Sequence, residues 1–277
     1  MRTVAIQGGE ASFHDIAARS YFKRSITPVI CDLPFKNVFA ALNEADYAIC
    51  AIENSLYGSI NEVYDLLIES DASIIGEVYL KIDQALIGFK EAKLNDIKEV
   101  HSHPVALAQC EQFLDEHLPE SRRFEHHDTA LSVRDVKQWG DPSKAAIASR
   151  QAAELYGMHV LRNAVETNRE NYTRFVVLRK KPVTPDKSAD KTSLVLRTAG
   201  DTKPGALYRA LGTFAERDLN LTLLHSRPLV GKAWHYMFYI DVVGGLDDGR
   251  LEAALKELAS RGCEIERLGS YASGIVY

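Results

Sequence analysis

Residues 171–175 read Asn-Tyr-Thr-Arg-Phe and run directly into the apolar stretch Val176, Val177, Leu178. A hydroxyl can donate a hydrogen bond, and a guanidinium can clamp a carboxylate with two parallel bonds. In an extended strand, neighbouring side chains point to opposite faces. Thr173 and Phe175 therefore share one face and Arg174 takes the other. An ordinary strand with an Arg in water also fits these residues, so the weight falls on what else the chain carries.

Three other clusters hold polar groups where loops meet helices. Ile52-Glu53-Asn54-Ser55 follows the buried-type run Tyr47–Ile52 and precedes a helical pattern. An Asn/Ser turn and a polar cleft mouth explain it equally well. Ser102-His103-Pro104 starts a helix, with Pro at the first helical position. Asp128-Thr129-Ala130 repeats that pattern, and Gly8-Gly9 precedes the first helix near Ser12. Each alone reads as a cap. Together they suggest several helix N-termini converging on an anion.

Other chemistries find no support. Gly8-Gly9-Glu10-Ala11-Ser12 lacks both the dinucleotide spacing and a phosphate-loop lysine. His14, His159 and His235 have no metal spacing and read as structural, while His126-His127 reads as surface. Cys31, Cys50, Cys110 and Cys263 are scattered, which argues for a reducing cytoplasm without disulfides or zinc. With a net charge of −5 and no Lys/Arg run, nucleic acid is not an expected partner. No stretch nears the length of a membrane span.

The elements that must position these groups fall into two domains. The polar, proline-containing stretch 181–191 is the predicted linker. Residues 190–277 hold 11 basic and 11 acidic residues, so the first 189 carry the whole −5. The C-terminal part reads βαββαβ: strands Ser193–Arg197, Leu219–Ser226, Trp234–Val242 and Cys263–Leu268, with helices Pro204–Glu216 and Leu251–Ser260. That is the ferredoxin-like arrangement. The N-terminal part alternates strands (Thr3–Ile6, Tyr47–Ile52, Ile74–Leu80, Gln84–Phe89, Ala145–Ile147, Arg174–Leu178) with helices (His14–Tyr21, Ile60–Ile68, Pro104–Leu114, Gln151–Tyr156). The fold class is α/β, with ligands expected where strand ends meet helix starts.

In order, these motifs resemble the prephenate dehydratase family. The carriers are GGEASFHDIAA at 8–18, AIENSLYGSINEVYDLL at 51–67, SHPVALAQC at 102–110, DTALS at 128–132, AAIASRQAAELYGMHVL at 145–161 and NYTRF at 171–175. PGALYRALGTFAERDLNLTLLHSRP at 204–228 and YMFYID at 236–241 resemble the phenylalanine-binding ACT domain fused to such enzymes. Three departures stand out: no Gly-Pro or Gly-Thr in the N-terminal turn, Val105 where Gln is common, and His225 where Glu is usual.

The resemblance implies a two-lobed, periplasmic-binding-protein-like (type II) catalytic domain over 1–180. Lobe one would hold about 1–76 and 160–180, and lobe two about 77–159. An ACT domain would occupy 192–277. It implies a cofactor-free lyase that turns prephenate into phenylpyruvate, CO2 and water in phenylalanine biosynthesis. The central need is a donor at the departing ring hydroxyl. Thr173 is the implied donor and Arg174 the implied carboxylate clamp, with Glu53 an alternative acid. Thr173 and Arg174 cannot both face the site unless the strand is irregular. Ser12, Asn54, Ser55, Ser102, His103, Thr129, Ala130, Asn171 and Phe175 are implied to shape the substrate site. Gly205, Ala206, Leu207, Asn220, Leu221, His225, Ser226, Arg227 and Pro228 are implied to bind phenylalanine as feedback inhibitor. His225 puts the strength or pH dependence of that inhibition in question.

A homodimer or a tetramer is expected, in the cytoplasm, with no metal, membrane or nucleic acid. The catalytic part begins within a few residues of Met1, so no mutase or dehydrogenase module is expected ahead of it. Arogenate dehydratase and a non-catalytic amino-acid sensor are the alternatives.

Overall fold

The computed structural model describes residues 1–23, 26–183, 186–198, 204–229 and 231–277. Thr184 and Pro185 of the predicted linker, and residues 199–203 and 230 of the predicted C-terminal domain, lie outside them. The chain divides into two compact units. One comprises residues 1–63, 78–175 and 276–277, and the other residues 64–77 and 176–275.

The first sheet grows from β1 (Arg2–Gln7), followed by α1 (Phe13–Tyr21), β2 (Ile26–Cys31), α2 (Lys36–Ala41), β3 (Tyr47–Asn54), β4 (Gly58–Ser59), α3 (Asn61–Glu69) and β5 (Ala72–Lys81). After β6 (Ala85–Gly88) come β7 (Glu99–Ser102), α4 (Pro104–Gln109), α5 (Glu111–His117), β8 (Arg122–Glu125), α6 (Thr129–Trp139), β9 (Lys144–Ala148), α7 (Arg150–Tyr156) and β10 (His159–Asn163). The chain then returns to the first sheet as β11 (Tyr172–Lys180), giving the order β2-β1-β3-β11-β5 with β4 on β3. The second sheet is β10-β6-β9-β7-β8. β1 runs parallel to β2 and β3, and β7 parallel to β8 and β9, as helical crossovers require.

This pairing moves the lobe limits away from 76 and 160. β5 is one continuous strand and stays in the first sheet through Lys81, while β10 pairs with β6 and belongs to the second sheet. The helix expected over Pro104–Leu114 is two helices, interrupted at Cys110 with φ −107°. The second sheet buries Leu86, Val100, Ala145 and Ile147 against Leu107 and Leu114, and Ile87 and Ala146 against Val133 and Val136. Apolar side chains on both faces are what a sheet covered by helices demands.

The second unit contains β12 (Lys191–Arg197), α8 (Ala206–Ala215), β13 (Leu221–Pro228), β14 (Tyr236–Val243), α9 (Gly249–Ser260) and β15 (Glu264–Tyr271). They form an antiparallel sheet in the order β13-β14-β12-β15. Leu207, expected on the apolar face of a helix from Pro204, is in the second position of α8. That helix starts later, because Gly205 caps it in the left-handed region at φ 77°. Phe214, Leu251, Leu255 and Leu258 pack onto Leu194, Leu196, Ile240 and Val242. Lys191, expected in the linker, already belongs to β12 and forms a buried ion pair with Glu77 at 2.6 Å. Among the described residues, no helix is long and apolar enough to cross a membrane.

Candidate active site

Thr173 and Phe175 line a cavity of about 330 Å³ in the first unit, with Ser12, His14, Asn54, Ile82, Gln84, His103, Gln109, Asp128 and Thr129 among its other walls. β11 delivers Thr173 and Phe175 to one side by ordinary alternation. Arg174 therefore points elsewhere. It is 5% exposed, does not line the cavity, and interacts with other protein groups. The expected clamp is corrected on that ground.

Asn54, at the end of β3, organises the polar wall. Its Oδ1 accepts the peptide N–H groups of Leu56 and Tyr57 at 3.0 and 2.9 Å, which fixes the amide's orientation. Its Nδ2 donates to Asn171 Oδ1 at 2.8 Å and to Thr173 Oγ1 at 2.9 Å, with a longer contact to the Tyr172 carbonyl. Asn171 Nδ2 donates in turn to Gln109 Oε1 at 3.0 Å. Gln109, Asn171, Asn54 and Thr173 thus form one buried chain of amides ending on a hydroxyl. Such a chain holds its members in place without relying on charge. Because Asn54 donates to Thr173 Oγ1, the threonine O–H is left to donate to something else.

Several expected site residues are placed differently. Glu53 faces Ser59 in the β3–β4 hairpin and does not line the cavity, since the turn aims the Asn54 amide inward. Ser55 closes a loop, donating to the Glu170 carbonyl and accepting the Tyr172 N–H, both at 2.9 Å. Ser102 is fully buried and donates to the Ile147 carbonyl at 2.6 Å, which ties β7 to β9. Ala130 packs in the core against Val133. Asn171 acts behind the wall. In the other direction, His14 and His127, read as structural and as surface, both border the cavity.

Three helix starts point toward this space. Ser12 caps α1, accepting the Asp15 N–H at 3.3 Å. His103 caps the short α4 through Nδ1, and Asp128 caps α6 by accepting the Leu131 N–H at 2.6 Å. Gly8, at φ 82°, makes room for this geometry: a Cβ there would lie 2.1 Å from Asp128 Oδ2. Burial, with a smaller contribution from His103, pushes His14 down to about 3, so it is a neutral acceptor for the Ala51 N–H at 3.2 Å. Burial also lowers His103 and raises the Asp128 carboxyl. Among the described residues, no Lys or Arg lines the cavity.

A second cavity, of about 240 Å³, lies in the other unit. Its walls are Thr198, Gly205, Ala206, Leu207, Tyr208, Tyr236 and Phe238. Asn220, Leu221, His225, Ser226, Arg227 and Pro228 do not line it. Five of these are on β13, where Ser226 pairs with Phe238 and Pro228 with Tyr236. Arg227 binds Asp65 at 2.5 Å, and the His225 ring lies 5.5 Å from that of Tyr64.

The family model for prephenate dehydratase matches residues 4–183, and that for the ACT domain matches residues 195–260. The chain belongs to the prephenate dehydratase family. A bifunctional chorismate mutase/prephenate dehydratase from Aquifex aeolicus is 34% identical over 99% of this chain and 74% of its own length. The structure of a prephenate dehydratase from Arthrobacter aurescens in complex with L-Phe has a TM-score of 0.86 at 31% identity, covering 98% of this chain and 89% of that one. GqqA, described as a novel type of quorum quenching acylase, has a TM-score of 0.87 at 34% identity, covering 98% of both chains. The family's reaction is the decarboxylating dehydration of prephenate to phenylpyruvate.

Gln84 and Gln109 carried no signal in the sequence. Each is a single amide inside an apolar stretch, and only the fold brings them beside Thr173.

Proposed function

We propose that Thr173 performs the demanding part of this reaction by hydrogen bonding the ring hydroxyl as it departs. The observation that carries this is the Asn54 amide donating to Thr173 Oγ1, which leaves the threonine O–H available to donate into the cavity that Thr173 lines. As the ring carboxylate leaves as CO2, its bonding electrons enter the ring and the C–O bond opposite breaks. The departing hydroxide is stabilised by Thr173 and takes up a proton from solvent, so a dianion and one proton give phenylpyruvate, CO2 and water. A donor fixed in advance costs no reorganisation at that moment.

The substrate is a dianion, yet the cavity walls hold no cation among the described residues. Attraction then comes from the starts of α1 and α6 and from the Gln109 amide. Lyase chemistry also suits the site better than acyl transfer. Thr173 Oγ1 receives an amide N–H, and among the described residues no carboxylate or imidazole bonds it as a base would have to.

The Gly205 cavity would take phenylalanine, with the left-handed Gly205 letting backbone approach the ligand. β13 is an edge strand of its sheet, and pairing with a second copy would give the homo-oligomer through which phenylalanine acts. Four unpaired cysteines suit a cytoplasmic enzyme. The test is phenylpyruvate formation from prephenate, with arogenate in parallel and with phenylalanine added. Higher kcat/KM on prephenate and loss of rate with phenylalanine support the reading. A preference for arogenate, or indifference to phenylalanine, would correct the substrate or the regulation.

A further inference from the structure

Gln84 is 2% exposed and lines the catalytic cavity, yet its side-chain Oε1 has no hydrogen-bond partner among the described residues. Its backbone is fully engaged. The peptide N–H donates to Glu166 Oε2 at 2.9 Å, and the carbonyl accepts the Val165 N–H at 3.1 Å. Two residues earlier, the Ile82 N–H donates to the Asn171 carbonyl at 2.8 Å. Gln84 therefore sits on the crossover segment that is stitched to the base of the Asn171–Asn54–Thr173 chain. A buried acceptor left open is costly, so an amide kept in such a place calls for a ligand that satisfies it.

An acceptor needs a donor. Prephenate offers one donor only, the O–H of its ring hydroxyl, because its carboxylates and its ketone are all acceptors. We propose that Gln84 Oε1 accepts the hydrogen of the departing ring hydroxyl and is a positioning residue for that group; this rests on the dehydratase reading above. Held from its hydrogen side by Gln84, the hydroxyl oxygen presents a lone pair to the Thr173 O–H. The leaving group is thereby oriented by a donor and an acceptor at once, and neither group carries charge.

The test compares wild type with Gln84→Met, which keeps size and removes the amide, and with Gln84→Ala as a second variant. Three quantities are read: melting temperature, kcat/KM on prephenate and on arogenate, and the dissociation constant of phenylpyruvate, which lacks the ring hydroxyl. The expected result is an unchanged or raised melting temperature for Gln84→Met, since an unsatisfied buried acceptor is gone. With it come a roughly tenfold to hundredfold loss of kcat/KM, equal for both substrates, and unaltered phenylpyruvate affinity. Phenylpyruvate binding weakened in step with turnover would place the contact on the side-chain acid and overturn the proposal. So would a loss confined to arogenate, which would place it on the ammonium, or turnover within about twofold of wild type. Failure of the wild-type enzyme to act on either substrate would instead overturn the dehydratase reading.

Discussion

The cavity beside Thr173 joins apolar walls such as Phe35, Ile82 and Phe175 to one row of amides and a hydroxyl that bond one another, whereas the cavity beside Gly205 is walled chiefly by Leu207, Tyr208, Tyr236 and Phe238. The first has a chain of buried donors fixed by Asn54, whose own amide is oriented by two peptide N–H groups. The second depends on a left-handed glycine and on aromatic surface. On the roles proposed above, the difference follows from what each has to do. A site that stabilises charge as it develops needs donors aimed before the substrate arrives. A site that only reads the concentration of an effector needs affinity, which apolar walls and close backbone approach can supply. Arg227, expected at the effector site, is instead bound to Asp65, in the segment 64–77 that belongs to the same compact unit.

The comparison can be broken most severely at Asn54. Asn54→Leu removes the donor to Thr173 and leaves Asn171 and two peptide N–H groups without their partner. A fall in kcat of roughly a hundredfold is expected from steady-state rates, with phenylalanine affinity measured by calorimetry unchanged. Equal losses at both sites would mean that the two regions are not separable in this way.

Acid sharpens the contrast next. His14 is depressed to about 3 in the fold, against 6.5 for the free side chain, so the unfolded chain binds more protons between those values. Stability falls as pH drops below about 6.5, with roughly 2 kcal/mol lost by pH 5 from this group. His14→Gln keeps an acceptor for the Ala51 N–H and should flatten that slope in urea titrations at pH 5 and pH 7. An unchanged slope would assign the acid sensitivity to other groups.

Smaller effects belong to the C-terminal cavity. Gly205→Val places a branched side chain at φ 77° beside Arg209 and should weaken phenylalanine inhibition about tenfold or more, with uninhibited kcat retained. Wild-type inhibition would remove Gly205 from the effector site. Smallest of all, Asp65→Asn breaks a half-exposed ion pair worth about 1 kcal/mol or less. A change in the inhibition constant without a change in melting temperature would show that this pair carries regulation.

The parts legible in the sequence were those where a local rule has one structural solution. Alternation along 173–175 separates Arg174 from its neighbours, and the helix starts near Ser12, at 102–104 and at 128–130 follow from residue type next to a helical pattern, though which residue caps each one does not. β2, β8 and β10 were not legible: Ile26–Cys31 contains Pro28, Arg122–Glu125 carries three charges, and His159–Asn163 is largely polar. Each becomes a strand only because a neighbour pairs with it. Arg174 and Glu53 stand out in the sequence because charge suggests chemistry, yet neither lines the cavity. Gln84 and Gln109 carry no charge and give no such signal. The meaning of an amide lies in its partners, and those lie far along the chain, as Asn171 does for Gln109.

On the proposed mechanism, the Thr173 hydroxyl held by Asn54 is the donor that lets the ring hydroxyl leave. Single-turnover formation of phenylpyruvate from prephenate by wild type, Thr173→Ser and Thr173→Ala tests it most directly. Serine is expected to keep most of the rate, while alanine loses about a hundredfold or more with the fold intact. An alanine variant that turns over within a few-fold of wild type would contradict it and leave the donor to be found among Gln84, Gln109 and His103.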